Sequence, residues 1–200
     1  MKSSAQAVTA SAAAASTDGR STRWAKHREE RRAELLSVAR RAIHQGGPQL
    51  TMDEIAQASG TSKSIMYRYF QDKAELQRAL GLQLLSAMHR QLANERTIHA
   101  MIRTFVSAAA ESRNLFEFVM LPSDGLNHFL SSVTRLTAAT LPKAVSVQDR
   151  ELWAAGAIHF VQGSVSRWLR ADSADPISAL SADQMTDHLV SWLLSGPPSH

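Results

Sequence analysis

The 200-residue chain contains no cysteine, which excludes disulfide scaffolds, thiolate zinc sites and cysteine nucleophiles. No apolar run approaches the ~18 residues that a membrane span requires. The spacings HExxH, GxxxxGK[ST], GxSxG and GxGxxG are absent, and with them the common metalloprotease, nucleotide-binding and hydrolase signatures. Residues 1–19 carry one basic residue, Lys2, before an Ala/Ser/Thr tract with no leucine-rich centre; this reads as a tail and not as a signal peptide. These gaps lead to the expectation of a soluble, cytoplasmic protein that is not an enzyme and needs no cofactor, metal or membrane.

What is present is mostly apolar and unevenly charged. An apolar fraction of 44% is too high for a disordered chain. The net charge is only +4, but it is concentrated. Residues 20–80 hold twelve basic and seven acidic residues, whereas residues 81–200 hold nine and ten. An excess of +5 on one short segment makes a polyanion the first candidate partner for that segment.

The hydrophobic pattern is helical throughout. The Ala-rich tail, residues 1–20, buries too little to order itself and is expected to be mobile. A helix capped by Ser21 or Thr22 follows, with the stripe Leu35, Leu36, Ala39, Ala42 and Ile43, and it stops at Gly46-Gly47-Pro48. Thr51 and Glu54 form a capping box that starts a short helix ending at Gly60. Ser62 caps another through Tyr69. Asp72 and Glu75 form a second box, opening a long helix through Leu76, Leu80, Leu84 and Met88. Further helices are read from Thr97, with a break near Asn114, then over 124–140, 148–170 and 182–194, the last capped by Ser181 and Gln184. The expectation is an all-α protein of about nine helices. It divides into the tail, a three-helix DNA-binding module at 21–71, and a bundle at 72–200.

Thr51 to Leu76 thus reads helix, tight turn, helix, a unit whose second helix can enter the major groove. The run TMDEIAQASGTSKSIMYRYFQDKAEL resembles the TetR family of transcriptional regulators. The shared elements are Thr51, Ile55 and Ala56; Gly60, Ser62, Tyr67 and Phe70; and Lys73 and Leu76. Thr51 places a hydroxyl and backbone amides at a helix N-terminus, a natural phosphate site. Ser62, Lys63 and Ser64 fall in the first turn of the reading helix; Lys63 suits guanine O6 and N7, and Ile65, expected to be exposed, suits a thymine methyl. The resemblance implies base or adjacent-backbone contacts by Lys63, Ser64, Ile65 and Tyr67, and phosphate contacts by Tyr67, Tyr69 and Lys73, with Arg68 as a further candidate. Met66, Phe70, Ile55 and Ala56 read as core.

In the body, Met88, Met101, Phe105, Phe116, Met120 and Phe129 suit an adaptable apolar cavity, with plain core as the competing reading. His159 and Gln162 interrupt the apolar helix 148–170 and can line that pocket or meet at an interface. The pairs Asp124/His128 and Gln184/His188 supply two ligands each, too few for a metal site. Helix 148–170 is apolar nearly all round. The resemblance implies that it and helix 182–194 form a homodimer, placing two reading helices ~34 Å apart on a pseudo-palindromic double-stranded operator. It further implies a repressor released by a small molecule, probably answerable to an apolar one on the residue types present. Control by a protein partner, and a helical ligand-binding protein without DNA binding, are the alternatives.

Overall fold

The computed structural model describes residues 4–94 and 97–195, with side chains described over 22–91, 93–94 and 97–195. Among the described residues there are nine α-helices and no strand: α1 (Ser4–Gly46), α2 (Met52–Ala58), α3 (Lys63–Tyr69), α4 (Lys73–Asn94), α5 (Ile98–Glu111), α6 (Arg113–Val119), α7 (Asp124–Ala138), α8 (Val147–Leu169) and α9 (Ala182–Ser195). None of them is long and apolar enough to cross a membrane.

The caps at the heart of the motif form as the residues dictate. Thr51 Oγ1 accepts the Glu54 N–H at 3.3 Å, and the Glu54 carboxylate accepts the Thr51 N–H at 2.8 Å. Gly60 then takes φ +65°, a left-handed conformation that a Cβ disfavours, and so turns the chain sharply into α3. At α4 the second box is distorted. Asp72 caps the Glu75 N–H at 2.7 Å, but Glu75 reaches past it to the Gln71 N–H at 2.9 Å. The α9 box forms reciprocally between Ser181 and Gln184.

Three boundaries differ from expectation. Helix α1 does not start at Ser21 or Thr22; its backbone runs back to Ser4, because alanine is the best helix former and nothing between them forces a stop. The mobility expected of the tail's side chains falls outside the described residues. The break expected near Asn114 lies at Ser112, which ends α5 and caps α6 by accepting the Leu115 N–H at 3.2 Å. A 3-10 turn at Pro176–Ala179, capped by Asp175, carries no hydrophobic period that would announce it.

Two cores result. The first joins α1, α2 and α3 through Leu35, Ile43, Ile55, Met66 and Phe70, and is closed by Leu76 and Leu80 of α4 and by Phe118 of α6. The second lies between α4, α5, α7, α8 and α9, around Phe105, Phe129, Val165 and Leu189. Met120 packs against both. The reading head is therefore completed by the first turns of α4 and by α6, beyond the expected boundary at residue 71.

The junction between the cores is polar and tight. Gln77 is buried; its amide donates to Val119 O at 2.8 Å and Leu121 O at 2.6 Å, and its Oε1 accepts the Ser123 hydroxyl at 2.5 Å. Gly125, at the start of α7, lies so close to α4 that a Cβ there would meet Ala74 O at 2.6 Å and Arg78 N at 3.1 Å. On the opposite side, the His44 ring meets Ser112 Oγ at 2.6 Å, and Asn114 Nδ2 donates to His44 O at 2.8 Å. Each of these buried or half-buried groups finds a partner, as burial requires.

Candidate nucleic-acid interface and effector cavity

Helix α3 is anchored from one side only. Met66 and Phe70 are fully buried, four residues apart and on one face. The rotation they impose leaves Ser62, Lys63, Ser64, Tyr67 and Arg68 exposed. Tyr67 is 44% exposed, a large apolar surface left to water on the face that carries the cations. Arg68 lies 5.5 Å over the Tyr69 ring, which presents the guanidinium beside a half-buried Tyr69.

Three residues sit otherwise than expected. Ile65 is half-buried against the head core, because residue 65 flanks Met66 and shares part of its inward arc. Thr51 offers no free amide; its N–H and hydroxyl both donate to Glu54 at 2.8 Å. The same contacts hold the Glu54 carboxyl below its ordinary pKa, the backbone N–H of Thr51 being the largest cause. Lys73 is turned inward. Its Nζ approaches Pro48 O at 3.4 Å and lies 5.2 Å over the Phe118 ring, and burial pushes its pKa down against the opposing pull of Glu54.

Lys63 is exposed but engaged. It pairs with Asp53 of α2, and that hydrogen bond raises the Lys63 pKa. Helix α1 flanks the head: Arg32 lies 3.6 Å from Glu75 and 4.9 Å over the Phe70 ring.

The second core encloses a small cavity of about 50 Å³. Met88, Met101, Phe105, Phe129 and Gln162 line it, as do Ile98, Val133, Trp153 and Ile158, which the sequence reading did not single out. Only Thr137 and Gln162 are polar among the lining residues. Phe116, Met120 and His159 are not on its wall. Phe116 stands behind Phe105, their rings edge-to-face at 5.2 Å. Met120 fills the space between the cores. His159 is exposed: an almost uniformly apolar helix has no amphipathic phase from which to tell its inner face.

That face is now fixed. Ala154, Ala157, Val161 and Val165 of α8 are buried, whereas Leu152 is 76% and Phe160 38% exposed. Leu152, Gly156, His159, Phe160 and Gly163 form one outward stripe, and nothing lies within 4 Å of a Cβ placed on either glycine. On α9, Trp192 stacks on His188 at 5.5 Å and meets Phe160 edge-on at 6.4 Å.

Residues 35–80 match the family model for bacterial regulatory proteins of the tetR family. Over 88% of its length the chain is 31% identical to an uncharacterised HTH-type transcriptional regulator of Mycobacterium tuberculosis, covering 82% of that protein. The chain belongs to the TetR family. Its TetR-family fold is shared by the fatty acid degradation regulator FadR of Bacillus halodurans (TM-score 0.63, 15% identity, 82% of this chain and 95% of that one). It is likewise similar to Thermus thermophilus FadR, a repressor solved with lauroyl-CoA (TM-score 0.59, 18% identity, 84% and 96%), and to Bacillus subtilis FadR solved with stearoyl-CoA (TM-score 0.62, 15% identity, 82% and 98%). As a TetR-family member the chain is a transcriptional regulator with a helix-turn-helix head.

Proposed function

We propose that the protein is a homodimeric repressor released from a pseudo-palindromic operator by an apolar effector. The observation that carries this reading is the cavity and its position. Its walls are apolar, it lies against α7, and α7 presses on the backbone of α4 at Gly125. Ligand pockets of drug-sized molecules usually measure ~300–1,000 Å³, far more than the 50 Å³ present. An occupant must therefore push α5, α7 and α8 apart. With no slack between Gly125 and α4, displacement of α7 moves α4, whose first turns belong to the head. The acyl-CoA ligands of the two FadR relatives make a long hydrocarbon chain the first class to test.

The exposed stripe of α8 and the Phe160–Trp192 pair of α9 supply the dimer face, with the glycines allowing close helix approach. Ser62, Lys63, Ser64, Tyr67 and Arg68 face the DNA. Lys63 leaves Asp53 to reach a base, and Ile65, Tyr69, Thr51 and Lys73 contribute to binding only so far as DNA draws them from their present partners.

The test is retardation of DNA from the protein's own upstream region, with and without lauroyl-CoA. Specific retardation, weakened by the ligand, is the expected outcome. A 100-fold loss corresponds to about 2.7 kcal/mol of coupling, and the DNA must weaken ligand binding by the same factor. Retardation that no apolar compound alters removes the effector part of the reading.

A further inference from the structure

A second, larger hollow lies on the outside of the same helices. It measures about 690 Å³ and runs between α4 and α5, bounded by α1 and α6. Its floor is apolar, with Leu80, Leu84, Leu115 and Phe116, and its rim carries Arg40, Arg90 and Arg103 against a single acid, Glu111. Arg40 meets Glu111 at 3.9 Å with side chains 52% and 70% exposed. So exposed and long a pair is weak, and Glu111 does not hold Arg40 against a competing anion. The hollow is therefore roomy, net positive and floored with hydrocarbon.

Its relation to the cavity is the second observation. Phe116 lines the groove and Phe105 lines the cavity, and their rings are in edge contact at 5.2 Å. Two aromatic rings are the wall between a spacious basic groove and a cramped apolar cavity. Leu84 also serves both sides, lining the groove and packing on the second core.

The geometry points to one bipartite site for an anionic amphiphile: a phosphate-bearing head held in the groove by Arg40, Arg90 and Arg103, and a hydrocarbon tail passing between Phe105 and Phe116 into the cavity. Guanidinium groups bind phosphate through paired, charge-assisted hydrogen bonds. The tail gains from leaving water in proportion to the apolar area it buries. The arrangement also gives the head group a direct hold on the DNA module, because Arg40 belongs to α1 whereas Arg90 and Arg103 belong to α4 and α5. An anion bridging them replaces the Arg40–Glu111 contact and changes what ties α1 to the body. This site rests on the effector reading above and specifies its ligand as an anion, not merely an apolar molecule.

The test is calorimetric titration of the full-length protein with lauroyl-CoA and with dodecanol, both below aggregate-forming concentrations. Arg90→Ala/Arg103→Ala should weaken lauroyl-CoA at least tenfold and leave dodecanol within about twofold. Arg90→Gln/Arg103→Gln, which keeps the chain length and hydrogen bonding, should behave alike and carries the test if the alanine protein melts early. Dodecanol should displace lauroyl-CoA competitively. Undiminished lauroyl-CoA binding by the arginine variants, or simultaneous binding of the two compounds, overturns the bipartite site while leaving an effector cavity standing. A wild-type protein that binds neither compound removes the effector reading itself, and this site with it.

Discussion

Lys63 and Asp53 illustrate how the reading face is restrained in the absence of DNA. The lysine best placed to donate to a base is paired to an acid on the neighbouring helix, so binding must exchange one partner for another. Asp53→Asn should remove both the restraint and a negative charge facing the duplex. We expect tighter binding to operator and non-operator DNA alike, with discrimination reduced, read by fluorescence anisotropy across a salt series. Lys63→Ala should instead lose ~1–3 kcal/mol of discrimination at one base-pair position. Equal loss on all sequences would count against base reading by Lys63.

Glu54 gives a pH dependence at the same scale. Its pKa is lowered in the folded protein, chiefly by the Thr51 N–H. A depressed carboxyl contributes stability that is complete above its unfolded value, near 4.5, and that fades as pH falls through the lower folded value. Urea unfolding of wild type should therefore lose part of its midpoint advantage over Glu54→Gln as pH drops from 6 through the carboxylate range, ~4 and below. Parallel curves would refute the role. Thr51, Ser62 and Glu54 were legible as caps because a cap is a local pattern. The inward turn of Lys73 was not, since it depends on Pro48 O and the Phe118 ring, 25 and 45 positions away in the chain.

Among the elements, α4 and α7 make the closest crossing. Gly125→Ala would drive a methyl into the backbone of α4, where Ala74 O stands 2.6 Å away. Backbone cannot rotate aside as a side chain can, so a loss of ~1–3 kcal/mol is expected in denaturant unfolding. If α7 moves α4 during release, the same variant should also bind operator more weakly without ligand. Unchanged stability would mean that the crossing is looser than it stands here. Helix existence was readable from periodicity along most of the chain, whereas orientation was readable only where the period is clean. Helix α3 has two apolar anchors and one possible inner face; α8 is apolar over much of its circumference, so His159 went to the wrong side. Gln77 and Gly125 gave no warning, for one polar residue or glycine in a helix acquires meaning only from its neighbour in space.

For the whole molecule, the uncovered stripe on α8 is the largest departure from a self-sufficient monomer. Leu152, at 76% exposure, lies at its centre of exposure. Leu152→Glu changes both copies in a symmetric dimer and should weaken association by at least about tenfold, ~1.4 kcal/mol. Sedimentation equilibrium measures this directly. Operator affinity should fall with it, while the isolated fold, monitored by helical circular dichroism, stays intact. A Leu152→Glu protein that sediments as wild type would place the dimer face elsewhere.

The chain has four tryptophans, and their placement makes the molecule its own optical gauge. Trp153 belongs to the cavity wall, so a hydrocarbon entering beside it changes the polarity around an emitting indole. Trp168 is tethered by its Nε1 to Leu180 O at 3.1 Å, and Trp192 lies under His188 at the α8–α9 face, where it reports subunit association instead. Trp24, 70% exposed on α1, adds a water-like background that a Trp24→Phe exchange removes. Occupancy of the cavity and pairing of the subunits are thus distinguishable by intrinsic fluorescence, without attaching a dye to a protein that has no thiol to carry one.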